Sequence, residues 1–388
     1  MAELEPRTRP LSSLPLLVLA GIAEALCPHC TEDPESRRWR TPIHHGCGTG
    51  ALLANSRALA SLAATCKQLY AIVSPILYHQ PQAHPKRHIR LLRTLVRRPD
   101  LARRVKVLRL DLDMPYKPYQ GEDDKPFVLA LAARHGWSLS FEPGNPEHDA
   151  HAEESAVNDL PGNLLLALCP NVEKASMSIG YDFELGGLLP PAALPHLKDL
   201  YTTHRDTEMG TCLATLRDLY LAAPNLETFT GNMTASVGGG EGLLPLGNLR
   251  HLRLSWSSIS SGCLRALLQS CPRLESFSYE AGGACVGYDQ FTIHSMIKLL
   301  VRYAPRLRHL DLDEVGDEDL GDEDDEDAEG GDDPEPAPGF ASLSCLETLD
   351  TDFYVVDLWD KYPEAALLPE SLRSLDGSDY PSAAGESP

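Results

Sequence analysis

IKLLVRYAPRLRHLDL, residues 297–312, holds the repeating unit of this chain: a helix-like apolar pattern, a proline, and an alternating apolar stretch. Proline stops the helix and favours extended backbone before it, so the order reads helix then strand. The same order returns in LLLALCPNVEKASM (164–177), LRDLYLAAPNLETFT (216–230) and LRALLQSCPRLESFS (264–278). The strand motif, an apolar residue, two polar ones and another apolar one, recurs as VKVLRL from Val105, VEKASM from Val172, LKDLYT from Leu197, LETFTG from Leu226, LRHLRL from Leu249, LESFSY from Leu274, LRHLDL from Leu307, LETLDT from Leu346 and LRSL from Leu372. From Val172 onward most steps are 23 to 29 residues, and two, of 33 and 39, contain insertions. An ordinary α/β domain with coincidental matches would not also repeat the flanks. One unit cannot bury its apolar face alone, so neighbours must stack. Alternation then turns the repeated Leu or Phe inward and leaves Arg109, Arg253, Ser278 and Asp311 facing out, along strands expected to line a concave binding surface.

The chain has 388 residues, 43% hydrophobic and 23% charged, with 31 Pro and 29 Gly, which fits many short elements separated by turns. Its net charge of −22 argues against nucleic acid as the main partner, since phosphate binding needs a basic face. That charge is uneven: Asp311 to Glu335 holds 16 Asp and Glu and no Lys or Arg. Ten dilute cysteines fit reduced thiols in a cytoplasmic or nuclear protein. The apolar run after Arg7 and Arg9 is offset by Glu3 and Glu5, interrupted by Pro15 and Glu24, and too short to span a bilayer, so neither secretion nor membrane insertion is expected. The lone sequon Asn232-Met233-Thr234 changes nothing.

Near the N-terminus, Ser12 and Ser13 before Leu14-Pro15 read as a helix start, carrying Leu16 to Leu26. A second pattern puts Leu59, Leu62, Cys66, Leu69 and Val73 on one continuous stripe that Pro75 ends or kinks. The stretches LPLLVLAGIAEAL (14–26), SLAATCKQLYAIVSPILYHQP (61–81) and LLRTLVRRPDLARRVKVLRLDL (91–112) resemble the F-box region of fungal F-box proteins with leucine-rich-like repeats. The resemblance implies a helical module that docks on a Skp-type adaptor and thereby a cullin complex. It assigns the adaptor contact to Leu14, Pro15, Leu17, Ile22 and Leu26, and to Leu62, Cys66, Leu69, Pro75, Leu77 and Tyr78. Leu16 departs from the family, which carries an acidic residue there, and residues 27–50 form an unusually long insertion.

The expected architecture is therefore α/β: an all-α F-box-like module at 11–80, an irregular leucine-rich-repeat-like solenoid at 86–379, and an acidic disordered insertion at 313–339. Most repeat steps fall in the leucine-rich range of about 20–29 residues. The implied role is non-enzymatic: a target-recognition subunit of a cullin-type ubiquitin ligase, holding an unknown protein target on Arg109, Arg253, Ser278 and Asp311. The alternatives are a repeat scaffold without ligase association and, in another class, a hydrolase using the Cys/His insertion as a catalytic zinc site.

Cys27-Pro28-His29-Cys30 followed by His45 and Cys47 gives a four-ligand zinc reading, Cys27, Cys30, His45 and Cys47, against a flexible loop without cofactor. Gly46-Cys47-Gly48-Thr49-Gly50 lacks the preceding strand and following Lys-Ser or Lys-Thr of a phosphate loop. Ten Lys and Arg between Lys86 and Arg109 read as the wet face of an amphipathic helix. No Gly-x-Ser-x-Gly, His-Glu-x-x-His or Walker sequence is present.

The segment Asp317 to Asp333 has almost nothing apolar to bury and repels itself, so nothing offsets the entropy of ordering it. Deleting it is expected to leave stability within about 1 kcal/mol of the parent in urea unfolding; unfolding of the C-terminal repeats would make it structural.

Overall fold

A computed structural model describes residues 14–31, 49–81, 87–110, 119–137, 146–180, 183, 185, 187–206, 208–238, 242–282, 293–313, 339–351 and 368–377. His45, Cys47 and the acidic residues 314–338 lie outside the described residues. The fold is mixed α/β with parallel strands, and among the described residues no helix is long and apolar enough to cross a membrane. Two compact units divide the chain: Met1–Arg134 with Leu160–Ser176, and His135–Asp159 with Met177–Pro388. Within the first unit a backbone tie joins the helices to the first strand: the His79 carbonyl accepts the N–H groups of Lys106 and Val107 at 2.8 and 2.9 Å.

The first unit carries α1 (Leu16–Leu26), α2 (Pro28–Thr31), α3 (Thr49–Thr65), α4 (Lys67–Leu77), α5 (His88–Arg97), α6 (Pro99–Ala102), β1 (Val107–Leu110) and α7 (Asp124–Arg134). Helix α8 (Pro146–Leu168) and strand β2 (Lys174–Ile179) give residues to both units. Pro15 rather than a serine caps α1, its carbonyl accepting from Val18 and Leu19 at 3.0 and 3.1 Å. The stripe expected over residues 59–73 is not one helix. It breaks at Cys66, which is extended (φ −159°, ψ 165°) and whose Sγ accepts the Leu69 N–H at 3.5 Å, capping α4. Pro75 lies inside α4, which runs on to Leu77 with one i to i−4 hydrogen bond fewer. Leu19, Ala23 and Cys27 pack with Leu59, Ala63, Leu69, Val73 and Ile76 as the core of these helices. Helix α5 buries Ile89, Leu92 and Leu95 and turns its arginines outward; Arg93 pairs with Asp124 at 3.1 Å and lies 4.5 Å over the Phe127 ring.

The second unit carries β3 (Asp199–His204), β4 (Thr211–Cys212), α9 (Arg217–Ala222), β5 (Thr228–Asn232), β6 (Thr234–Ser236), β7 (His251–Ser257), α10 (Ser261–Ser270), β8 (Ser276–Ala281), α11 (Ile293–Tyr303), β9 (His309–Asp313), β10 (Thr348–Thr351) and β11 (Ser374–Gly377). Here β3-β5-β7-β8-β9-β10-β11 run side by side, every pair parallel, with β4 and β6 as a separate parallel pair. Every motif quoted from the sequence, from Val105 to Leu372, leads into one strand.

Register follows from side-chain chemistry. Leu200, Phe229, Leu252, Phe277, Leu310 and Leu349 pair in one row, each at most 2% exposed, over buried Leu219, Leu264, Leu267 and Leu300 of the helices. Two residues on, Gly231 takes part in the next inward row because a Cβ there would meet Thr234 Oγ1 at 2.6 Å. At the strand entrances the second motif residue alternates in charge: Lys198, Glu227, Arg250, Glu275, Arg308, Glu347, Arg373. Lys198–Glu227 and Arg250–Glu275 pair at 2.8 and 2.7 Å, and Glu347 sits between Arg308 and Arg373 at 3.7 and 3.3 Å. Such partly exposed pairs contribute only about 0–1 kcal/mol each, but a one-unit slip would oppose like charges. Asn225 and Asn248 reinforce the stacking by donating to Pro195 and Pro224 carbonyls of the preceding unit at 2.9 and 2.8 Å.

One ion pair is buried: Asp159 accepts from Arg205, with side chains 4% and 10% exposed. Burial pushes the Asp159 carboxyl up against the pull of Arg205, and Asp159 Oδ2 and Arg205 Nε find no partner. Arg205→Met alone leaves a buried unpaired carboxylate and should cost about 3 kcal/mol or more in denaturant unfolding. Adding Asp159→Leu should recover most of that loss, since an imperfect buried pair adds little over apolar packing.

Candidate functional site

The helical module has one inward and one outward apolar set. Leu69 is 3% exposed and belongs to the core, while Leu14, Leu26, Leu62 and Leu77 pack against it. Ile22, Pro75 and Tyr78 are half-buried, and Pro15 and Cys66 are exposed. Of the residues that the resemblance assigned to an adaptor, Leu17 stands well out into solvent, 87% exposed. Beside it stand Leu16 and Val18, 61% and 46% exposed, and α4 adds the half-exposed Tyr70. These three escaped the sequence reading because burial cannot be told from hydrophobicity when a helix is apolar on every side. A large aliphatic side chain in water loses roughly 1.5–3 kcal/mol relative to burial, which marks such a patch for a partner.

At the other end of α1 the chain gathers soft ligands. Helix α1 ends where Cys27 turns extended (φ −87°, ψ 118°). The one-turn α2 then folds back, with Cys30 and Thr31 N–H groups on the Cys27 carbonyl at 3.0 and 3.1 Å. His79, just past α4, closes the group: its Nδ1 lies 3.4 Å from Cys30 Sγ and 3.9 Å from Cys27 Sγ, and His29 Nδ1 lies 3.8 Å from Cys30 Sγ. The ligand atoms of Cys27, His29, Cys30 and His79 all lie within 4.8 Å of one another, so this cluster could hold a metal ion. The sequence paired Cys27 and Cys30 with His45 and Cys47; the structure sets His29 and His79 there, and His45 and Cys47 are outside the described residues. His29 was legible inside the Cys-x-x-Cys, whereas His79 is about fifty residues away and only the turn after α4 delivers it.

The electrostatics differ from those of the other cysteines. Burial raises the Cys27 thiol, but hydrogen bonds from His29 and His79 and the Cys30 backbone pull it down to about 6. Burial and the neighbouring Cys27 charge push Cys30 up to about 12. His29 is raised by its bond to Cys27, against burial, with Glu173 assisting. In contrast, burial alone pushes Cys169 up to about 12, as for an inert core thiol. Outside the cluster, Glu173 Oε2 holds His29 Nε2 at 3.4 Å while its Oε1 pairs with Lys106 Nζ at 2.6 Å.

On the sheet of the second unit the outward residues fall into register. Arg253 pairs with Ser278 and Ser278 with Asp311, and Ser278 Oγ donates to Asp311 Oδ2 at 2.8 Å. The row continues to Tyr201 and Thr230 on one side and to Asp350 on the other, but Ser278 and Tyr201, 9% and 5% exposed, are buried within it. Arg109 stands at the equivalent outward place on β1, in the first unit. Trp256 was missed by sequence reading. It is 59% exposed, at φ +49°, where the β7–β8 register shifts after Leu254. An aromatic side chain held outward on left-handed backbone is a combination found at recognition sites.

No protein-family model matches this chain, and no curated protein matches it.

Trp256→Gly is expected to hold or raise the melting temperature, since glycine relieves about 1–2 kcal/mol of left-handed strain and most of the indole already faces water. A large drop would show the indole to be a packing element.

Proposed function

We propose that this chain is the target-recognition subunit of a cullin-type ubiquitin ligase, acting in the cytoplasm or nucleus. Its N-terminal helices bind a Skp-type adaptor, and its parallel strands hold a protein target. The observation that carries the reading is the solvent-facing ridge Leu16-Leu17-Val18 on a helix whose other side, Leu19 and Ala23, is fully buried. A short helix with apolar residues on both sides has one set for its own core and one for another molecule. The chain then performs no chemistry: tethering raises the target's effective concentration near the transfer machinery. The row through Arg253, Asp311 and Asp350 and the exposed Trp256 form the target face, and its acidic end favours a target that presents Lys or Arg.

A repeat scaffold without ligase association is the second reading, supported by the same sheet and differing only in the use of the α1 ridge. A hydrolase with zinc at the Cys/His cluster is disfavoured by the cluster's own geometry. Four protein ligands fill a tetrahedral shell and leave no open position for water or substrate.

Leu17→Asp in the full chain should weaken adaptor binding at least about 30-fold in a titration with purified Skp-type adaptor, equivalent to about 2 kcal/mol for a buried anchor. The circular dichroism spectrum should be unchanged, because the side chain lies outside the core. Failure of the parent chain to bind the adaptor, or equal affinity of the variant, rejects the ligase reading in favour of the scaffold.

A further inference from the structure

We propose that Cys27, His29, Cys30 and His79 hold one structural zinc ion that staples the end of α1 to the turn after α4 and, through the Glu173–His29 contact, to the entrance of β2. The proposal stands on geometry and is independent of the adaptor reading.

Zinc bound to two thiolates and two imidazoles has Zn–S near ~2.3 Å and Zn–N near ~2.05 Å, so a tetrahedron sets S and N roughly 3.6 Å apart. The observed S···N separations of 3.4, 3.8 and 3.9 Å bracket that edge, and all four ligand atoms fall within one small sphere. Chance proximity of surface side chains does not give four mutual approaches of this kind. Nor does hydrophobic packing, since polar imidazoles would gain nothing from edge-to-face contact beside thiols; the His29 and His79 rings meet at 5.3 Å and 78°.

The surroundings are those of a metal ligand set. A ligating histidine characteristically gives its other ring nitrogen to a carboxylate, which fixes the ring and its tautomer. His29 does so: Nε2 faces Glu173 Oε2, leaving Nδ1 toward Cys30. Glu173 is itself held by Lys106, and Lys106 N–H bonds the His79 carbonyl. Glu173 and Lys174 N–H groups in turn bond the Lys106 carbonyl at 2.7 and 3.1 Å. His79, Lys106 and Glu173 thus form successive steps of one backbone ladder in the first unit, and the ligand set sits at its start. Cys27 completes the link inward: it is 1% exposed and part of the helical core. The ion would therefore join two chain segments about fifty residues apart, with a third held to them through the Glu173–His29 contact, which a helical module this small needs, because its own core is few residues deep.

The test is metal content of the full chain purified under reducing conditions at neutral pH, measured by plasma emission spectrometry, with cobalt as a spectroscopic probe. One zinc per chain is expected, and cobalt should give the intense visible bands of a tetrahedral site with a thiolate charge-transfer band. His79→Ala and Cys30→Ser should lose the ion, and His79→Cys, which supplies another ligand, should retain it with a shifted cobalt spectrum. Glu173→Gln should weaken zinc about 10–100-fold without abolishing it. His45→Ala with Cys47→Ser should leave zinc content unchanged. The proposal is overturned if the reduced parent chain binds no zinc, if a Cys27–Cys30 disulfide forms in place of a metal site under those conditions, or if zinc survives His79→Ala but is lost with His45 and Cys47.

Discussion

The structure of the second unit depends on one constraint: Leu200, Phe229, Leu252, Phe277, Leu310 and Leu349 must occupy the same register position on successive parallel strands. Parallel strands cannot be joined by tight hairpins, so each connection must leave the sheet and return with a helix or turn over one face. Helices α9, α10 and α11 do so, and the row of large apolar side chains is what they cover. Because side chains alternate, the residues between lie on the other face of the sheet, where Asp350 is exposed, Arg253 and Asp311 are half-buried, and Tyr201 and Ser278 are buried. The polar row through Arg253, Ser278 and Asp311 is thus a consequence of the apolar one.

The alternation of charge from Lys198 to Arg373 acts on the same register from the edge. Each pair is too wet to matter much for stability, yet a shift of one unit would set Glu against Glu and Arg against Arg along the whole entrance of the sheet. In the first unit the same backbone pattern runs through His79, Lys106 and Glu173, where an imidazole takes the place that the alternation would give to a carboxylate beside Lys106. That substitution converts a structural ladder position into one that can bring nitrogen to two cysteines.

The helical module shows how burial divides one apolar sequence into two roles. Residues 16–19 are all large and apolar, but only Leu19 enters the core with Ala23 and Cys27. Helix geometry forces this division, since residues one apart point about 100° away from each other around the axis. The turn after α4 ties this helical module to β1, since the His79 carbonyl accepts the Lys106 and Val107 N–H groups.

The sequence by itself determined the repeat: period, proline and alternation located each strand and the helices ahead of several of them, and made Arg253, Ser278 and Asp311 neighbours in one row. It did so because those features are local, set by backbone sterics and by the two-residue period of a strand. It also picked out Cys27 and Cys30, three residues apart, which the structure places in a cluster that could hold a metal ion. It could not separate Leu17 from Leu69, since hydrophobicity does not say which side of a helix meets its own core. It did not foresee the break at Cys66, where a thiol caps a new helix in a stretch whose apolar spacing is continuous. Nor could it bring His79 to the two cysteines, because that placement belongs to the turn after α4 and to the hydrogen bonds from Lys106 and Val107 that hold it. Only the tertiary structure decided these, since each depends on what a distant segment brings to the same few ångströms.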